Sequence, residues 1–326
     1  MLFLNRREVE KLLDLDRLIE GLADAMIELS AGRVSMPARN VVEIAPSRGL
    51  LAAMPVYLGS TNTLSTKLVS VYPENGGCGI PSHQAVVLVF DATTGTPVAI
   101  MDGTSITAAR TACGSALATR LLARPEARVL TILGAGVQAR SHARAIPRVR
   151  QIKEVRIWSR DPQKAEALAQ ELPADVFSAR SIPTLKEALA GAEIICAVTH
   201  SPEPVVMGEW LEPGVHVNSV GLNGQGREVD EMAVLKSAVV VESRDAALAP
   251  APSGANDLIW PIQTGLIARE SITEVGEILS GSRPGRTSPE QITLYKSVGI
   301  AVQDAVAARL VLDAARVQGA GVELEL

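Results

Sequence analysis

The chain has 326 residues, 47% of them hydrophobic, and a mean hydropathy of +0.20, enough for sizeable cores in two domains. A net charge of −5 with no basic stripe argues against a nucleic-acid footprint. Cys78, Cys113 and Cys196 form no CxxC pair, no apolar run reaches membrane-spanning length, and MLFLNRREVEKLL has no signal-peptide layout, so a reduced cytoplasmic compartment without bound metal or membrane is expected.

Asn5 followed by Glu8 has the spacing of a helix start, and Val9, Leu12, Leu13, Leu18, Ile19, Leu22, Met26 and Leu29 then recur at helical period. One or two amphipathic helices are predicted there, joined near Asp14 to Asp16. From Arg39 the pattern turns to five short β-rich runs: RNVVEI, GLLAAMPVY, LSTKLVSVY, QAVVLVFD and PVAIMDG. With little helix between them they predict a mostly antiparallel sheet. TSITAARTACGSALATRLL reads as a helix of small residues, and Arg124 to Ala127 as a linker.

The stretch VLTILGAGVQARSH follows: a β-branched run, Gly134 and Gly136, then a helix start, with Ala139 in the third glycine position of GxGxxG. That is the strand, tight turn and helix that open a dinucleotide-binding unit. Strand-like and helical segments then alternate through VRIW, PQKAEALAQEL, DVFSA, TLKEALAGA, EIICAV, VHVNSV and AVVVES, as in a doubly wound parallel sheet. The tail from Ser288 to Ala315 is predicted as one long helical pattern that could return to the first domain. The fold class is therefore α/β: a Rossmann-type doubly wound parallel sheet plus a mostly antiparallel α+β domain.

An acid at the end of the second nucleotide strand accepts ribose hydroxyls and repels a 2′-phosphate. Here that strand ends in Ser159 and Arg160, a hydroxyl and a guanidinium, which favours NADP(H), with NADH possible. Asp161 can cap the following helix alongside that role. In the first domain Arg39, Lys67 and Arg110 each stand among apolar or small neighbours. Singly each reads as a surface or salt-bridged residue; together they suggest a pocket for a small carboxylate, which arginine binds through both oxygens. His83 reads equally as a general acid or as a histidine satisfied at a strand end. His142 and His200 read as structural, and no metal spacing is present.

The segments STKLVSVYPEN, PSHQAVVLVFD, AIMDGTSITAARTACGSALAT, ILGAGVQARSH, EVRIWSRDPQKAEAL, GVHVNSVG and YKSVGIAVQDAVAARLV together resemble the ornithine cyclodeaminase and mu-crystallin family along essentially the whole chain, closest to its ketimine reductase branch. The resemblance implies a homodimer. Residues 1–122 with 296–326 would form its substrate-binding and dimerisation domain, and 123–295 its dinucleotide-binding domain. It implies that Arg39, Lys67 and Arg110 act on the substrate carboxylate and in catalysis, with Met54 and Asn223 also at the substrate. Ser82, His83, Arg110, Gly134, Gly136, Val137, Gln138, Ser159, Arg160, Thr199, Val220 and Ser297 would touch the cofactor.

Two departures separate the branches. Where cyclodeaminases carry a glutamate before the MP pair and an aspartate after the VG of the fifth strand, this chain has Ala52 and Asn223. Neither exchanges a proton near neutral pH, so the water-adding chemistry loses its acid–base groups. The reaction implied is NADPH reduction of a small cyclic 2-imino acid to an L-amino acid. The rivals are a true cyclodeaminase, an alanine-type dehydrogenase, and a hormone-binding or crystallin-like protein without catalysis.

Overall fold

A computed structural model describes the chain apart from residues 46–48, 222–223, 225 and 326 and the side chains of 76–78. Two compact units emerge, Met1–Arg110 with Gly299–Leu326, and Thr111–Val298. Among the described residues no helix is long and apolar enough to cross a membrane.

The first unit opens with β1 (Leu2–Leu4), α1 (Arg6–Leu12) and α2 (Leu15–Ser30). Asn5 accepts from the N–H groups of Arg7 and Glu8 while the Glu8 carboxylate accepts from the Asn5 N–H, a reciprocal capping box. Asp14 caps α2 by accepting from the N–H groups of Asp16 and Arg17, which is why the helical period breaks at that point. There follow β2 (Val34–Ser35), β3 (Asn40–Ile44), β4 (Gly49–Leu58), β5 (Thr63–Val71), β6 (His83–Phe90), β7 (Pro97–Asp102) and the long α3 (Gly103–Leu122). Strands β3 to β7 coincide with the five β-rich runs and pair antiparallel in sequence order. Alternation sends Ala52, Met54, Val56 and Leu58 of β4 inward. The register sets Met54 directly opposite Lys67 of β5.

The second unit alternates strand and helix: β8 (Val129–Leu133), α4 (Val137–Ala145), β9 (Glu154–Trp158), α5 (Pro162–Glu171), β10 (Ser178–Ser181), α6 (Leu185–Leu189), β11 (Ile194–Ala197) and β12 (His216–Ser219). It continues through α7 (Glu231–Lys236), β13 (Ser237–Val241), α8 (Arg244–Ala247), α9 (Asn256–Gln263), β14 (Thr273–Glu274), α10 (Val275–Leu279) and β15 (Ile292–Lys296). All pairs are parallel, in the order β10-β9-β8-β11-β12-β15-β13-β14. Strand order reverses between β8 and β11, and ligands of such sheets bind at the carboxyl ends beside that point.

The single long helix predicted from Ser288 to Ala315 is corrected here. Residues Ile292–Lys296 are β15, buried along their whole length in the middle of the sheet, and the helix begins only at Ala301. A strand covered on both faces shows no alternation, so its apolar run merges in sequence with the helix that follows.

That helix, α11 (Ala301–Gln318), and β16 (Val322–Glu323) complete the first unit. Its sheet runs β16-β1-β7-β6-β5-β4-β2, with β3 also on β4, and α11 packs on β4, β5 and α2. The carboxyl end of α3 is held by guanidinium groups. Arg150 donates to the carbonyls of Arg120, Ala123 and Arg124, and Arg286 to that of Leu122, satisfying oxygens that have no partner within the helix.

Candidate active site

The predicted cations meet in the first unit. Lys67 points inward from β5 and is 2% exposed, and its Nζ lies 2.8 and 3.0 Å from the two carboxylate oxygens of Asp304 on α11. Arg110, on α3, donates from Nε to Asp304 Oδ1 at 3.0 Å and from Nη1 to Gln303 Oε1 at 2.9 Å. Arg39 donates from Nη2 to the Gly299 carbonyl at 2.8 Å. Gly299 has φ +69°, and a side chain there would stand 2.6 Å from Arg110 Nη1. Glycine is thus needed at that point both for the left-handed turn and for the passage of the guanidinium.

Among the described residues, Lys67 and Arg110 share the one carboxylate of Asp304, and Arg39 stands close enough to act on the Lys67 ammonium. Burial is the main cause that pushes the Lys67 ammonium down to about 8, Arg110 and Arg39 push the same way, and Asp304 holds it up. The group can therefore hold or release a proton close to neutral pH, beside guanidinium forks suited to a carboxylate. Met54 flanks it as a buried apolar neighbour, and Ala52 lies two residues further along the same face of β4. His83, at the start of β6, is exposed, with Nδ1 3.3 Å from the Ser82 hydroxyl. Asn223 lies outside the described residues.

In the second unit, Gly134 ends β8 with φ +119°, and a side chain there would stand 2.9 Å from the Val198 carbonyl oxygen. Gly136 precedes α4 with no side chain capping the helix. Its backbone is extended and a Cβ would meet nothing within 4 Å, so the chain's own packing does not call for glycine there. The open space lies at a helix N-terminus, the arrangement that receives a pyrophosphate. Gln138 has its Oε1 buried without a partner, an acceptor left for something the chain does not supply. Val137 is exposed, and Ala139 is fully buried where α4 meets the sheet.

At the end of β9, the Ser159 hydroxyl accepts from the Asp161 N–H, Arg160 is exposed, and Asp161 caps α5 through the N–H groups of Gln163 and Lys164. His142 is a structural residue: Nδ1 lies 2.7 Å from the Gln138 carbonyl, Nε2 2.9 Å from the Ser115 hydroxyl, and burial pushes its pKa down to about 4.

The remaining predicted contacts stand at the ends of the central strands, on a buried polar network that sequence reasoning missed. Thr199, just beyond β11, and Val220, just beyond β12, both donate to the carboxylate of Glu228. Ser297, after β15, donates to Glu242 at 2.6 Å. Lys296 is fully buried and bonds Asp257, the Ser219 hydroxyl and the Gly221 carbonyl. In the first unit the missed residue is Asp304. Its signal was available: Ile300, Ala301, Ala307 and Ala308, three and four residues away, are all apolar, so the acid stands on the buried face of its helix.

Residues 1–319 match the ornithine cyclodeaminase/mu-crystallin family. The chain is 41% identical to the ketimine reductase mu-crystallin of Mus musculus over 316 residues, covering 95% of this chain and 96% of that one. Among solved structures, the delta(1)-pyrroline-2-carboxylate reductase of Thermococcus litoralis, in complex with NADH and L-proline, superposes with a TM-score of 0.95 at 38% identity, covering 99% and 100% of the two chains. An archaeal alanine dehydrogenase dimer with bound NAD gives 0.92 at 29% identity, covering 100% and 99%. With its parallel nucleotide-type sheet and its cation-bearing β unit, the chain belongs to the ornithine cyclodeaminase/mu-crystallin family.

Proposed function

We propose that this protein reduces a small cyclic ketimine, 1-pyrroline-2-carboxylate or 1-piperideine-2-carboxylate, to the corresponding L-amino acid with NADPH. The observation that carries this reading is the buried pair Lys67 and Arg110 on the single carboxylate of Asp304, with the half-buried Arg39 on the neighbouring Gly299 carbonyl, a cation cluster suited to a small carboxylate. Relatives that act on such imines, one of them holding L-proline, support the substrate class.

The turn at Gly134 and Gly136, the open start of α4 and the orphaned Gln138 oxygen fit a dinucleotide. Its holders would be Gly134, Gly136, Val137, Gln138, Ser159, Arg160, Thr199, Val220 and Ser297, and the family resemblance adds Ser82, His83 and Arg110. Bound nicotinamide supplies the hydride. Arg39 and Arg110 clamp the substrate carboxylate, which fixes the orientation of the C=N carbon. Met54 offers an apolar wall to the ring, and Lys67 holds or delivers a proton, since an iminium accepts hydride better than a neutral imine. Ala52 carries no carboxylate to activate water, which sets the amine-releasing reaction of cyclodeaminases aside. The dimeric alanine dehydrogenase relative supports a homodimer.

The decisive assay follows NADPH and NADH oxidation with both imino acids and, separately, ammonia release from ornithine. Imine-dependent oxidation is expected; ammonia and proline from ornithine would reverse the choice of reaction. Arg39→Ala should lower kcat/KM at least about tenfold, because a charge-assisted hydrogen bond contributes roughly 1.5–3 kcal/mol. An unchanged value removes Arg39 from the site. Arg160→Ala should raise KM for NADPH and leave that for NADH nearly unaltered, and equal effects on both coenzymes would refute the 2′-phosphate assignment.

A further inference from the structure

The Glu228 side chain is 3% exposed, and both its oxygens are crowded with donors. Oε1 accepts from the N–H and the hydroxyl of Thr199, each at 2.8 Å. Oε2 accepts from the Ser219 hydroxyl at 2.9 Å and the N–H groups of Val220 and Gly221 at 3.0 and 2.7 Å. One carboxylate thereby ties together the chain leaving β11 and the chain leaving β12. Gly221 shows how tightly it does so, because a Cβ there would stand 2.5 Å from both Glu228 Oε1 and the Thr199 carbonyl. Behind it, Asp257 accepts from the N–H groups of Glu228 and Val229 and pairs with Lys296 at 2.8 Å, which fixes the backbone that carries the acid.

A doubly wound sheet binds a dinucleotide with two mononucleotide halves. Here the glycine turn after β8 opens the first, and β11 and β12 begin the second. The two meet where the missing side chain of Gly134 leaves room for the Val198 carbonyl, one residue before Thr199. We propose that Glu228 is a positioning residue for the nicotinamide half of the dinucleotide. By drawing Thr199, Val220 and Gly221 onto one carboxylate, it sets the ends of β11 and β12 in their receiving form before any nucleotide arrives. This rests on the dinucleotide reading above.

Glu228→Gln keeps the shape and tests the charge. Whichever oxygen becomes the amide nitrogen, a backbone N–H loses its acceptor and meets another donor. In the full-length protein the variant should bind NADPH at least tenfold more weakly. It should bind adenosine 2′,5′-bisphosphate, a probe of the adenosine half alone, within twofold of the parent. Without nucleotide, amide exchange should quicken at least tenfold in the segments around Thr199 and Val220–Gly221 and stay unchanged in β8 and α4. At saturating NADPH, kcat should remain within threefold, with the loss in KM for NADPH. Ser219→Ala, a milder removal of one donor, should give the same split at about threefold.

A Glu228→Gln protein that binds NADPH like the parent, or loses both ligands equally, overturns the proposal. If that variant fails to fold, Ser219→Ala binding NADPH like the parent overturns it instead. A parent protein that binds neither NADPH nor NADH refutes the dinucleotide reading itself, a distinguishable result.

Discussion

Asp304→Ala is expected to lower the stability of the protein by about 3–5 kcal/mol at pH 6.5, because removing one partner of a buried ion pair leaves charge without compensation. The carboxylate is 2% exposed and lies within 3.0 Å of both Lys67 Nζ and Arg110 Nε, so two cations lose their counterion at once. The loss should shrink at pH 9.5. Lys67 already sits at about 8 with Asp304 holding it up, so without that acid it sheds its proton more readily and one buried charge disappears. Urea unfolding at the two pH values measures both effects. A variant as stable as the parent at pH 6.5 would mean that the cluster is hydrated rather than buried.

Binding of pyrrole-2-carboxylate, a planar carboxylate whose own charge does not change between pH 6 and 10, should weaken as pH rises through about 8 and Lys67 loses its ammonium. Lys67→Met should abolish that step and lower affinity at pH 7 at least about tenfold, on the scale of one charge-assisted hydrogen bond of roughly 1.5–3 kcal/mol. The same group predicts the sign of a stability effect. Its folded pKa is depressed from 10.5 to about 8, so burying the charged amine is a penalty fully present below pH 8. Between about 8 and 10.5 the native state has released the proton while the unfolded chain retains it, and stability from this residue rises across that window. Lys67→Met should remove the rise. A parent whose affinity is flat from pH 7 to 9 would take Lys67 out of the binding step.

What could be read from the chain followed how local the physics was. The Asn5 cap, the strands β3 to β7 and the glycine turn after β8 each depend on a few adjacent residues, and all stand where the sequence puts them. The cations could be singled out because Arg39, Lys67 and Arg110 sit in apolar or small-residue contexts where a charge needs a partner. Asp304 could be marked as an acid on a buried helix face but not as their partner, since it is 237 residues from Lys67 and only the return of α11 brings them together. Glu228 was equally silent: GREVDE reads as a solvated charged loop, and its carboxylate is claimed by backbone N–H groups that leave no trace in residue type. The β15 strand was hidden because pairing on both sides, with β12 and β13, erased the alternation that marks half-buried strands.

That strand also governs how the molecule can be made. Because β15 lies between β12 and β13, a chain emerging from the ribosome holds two strands with vacant edges until Ile292 to Lys296 has been synthesised. The first unit waits for α11 in turn. Neither half can close before Ile292 is made, and a nonsense codon ahead of it would deprive both of β15 or α11 rather than release one intact module.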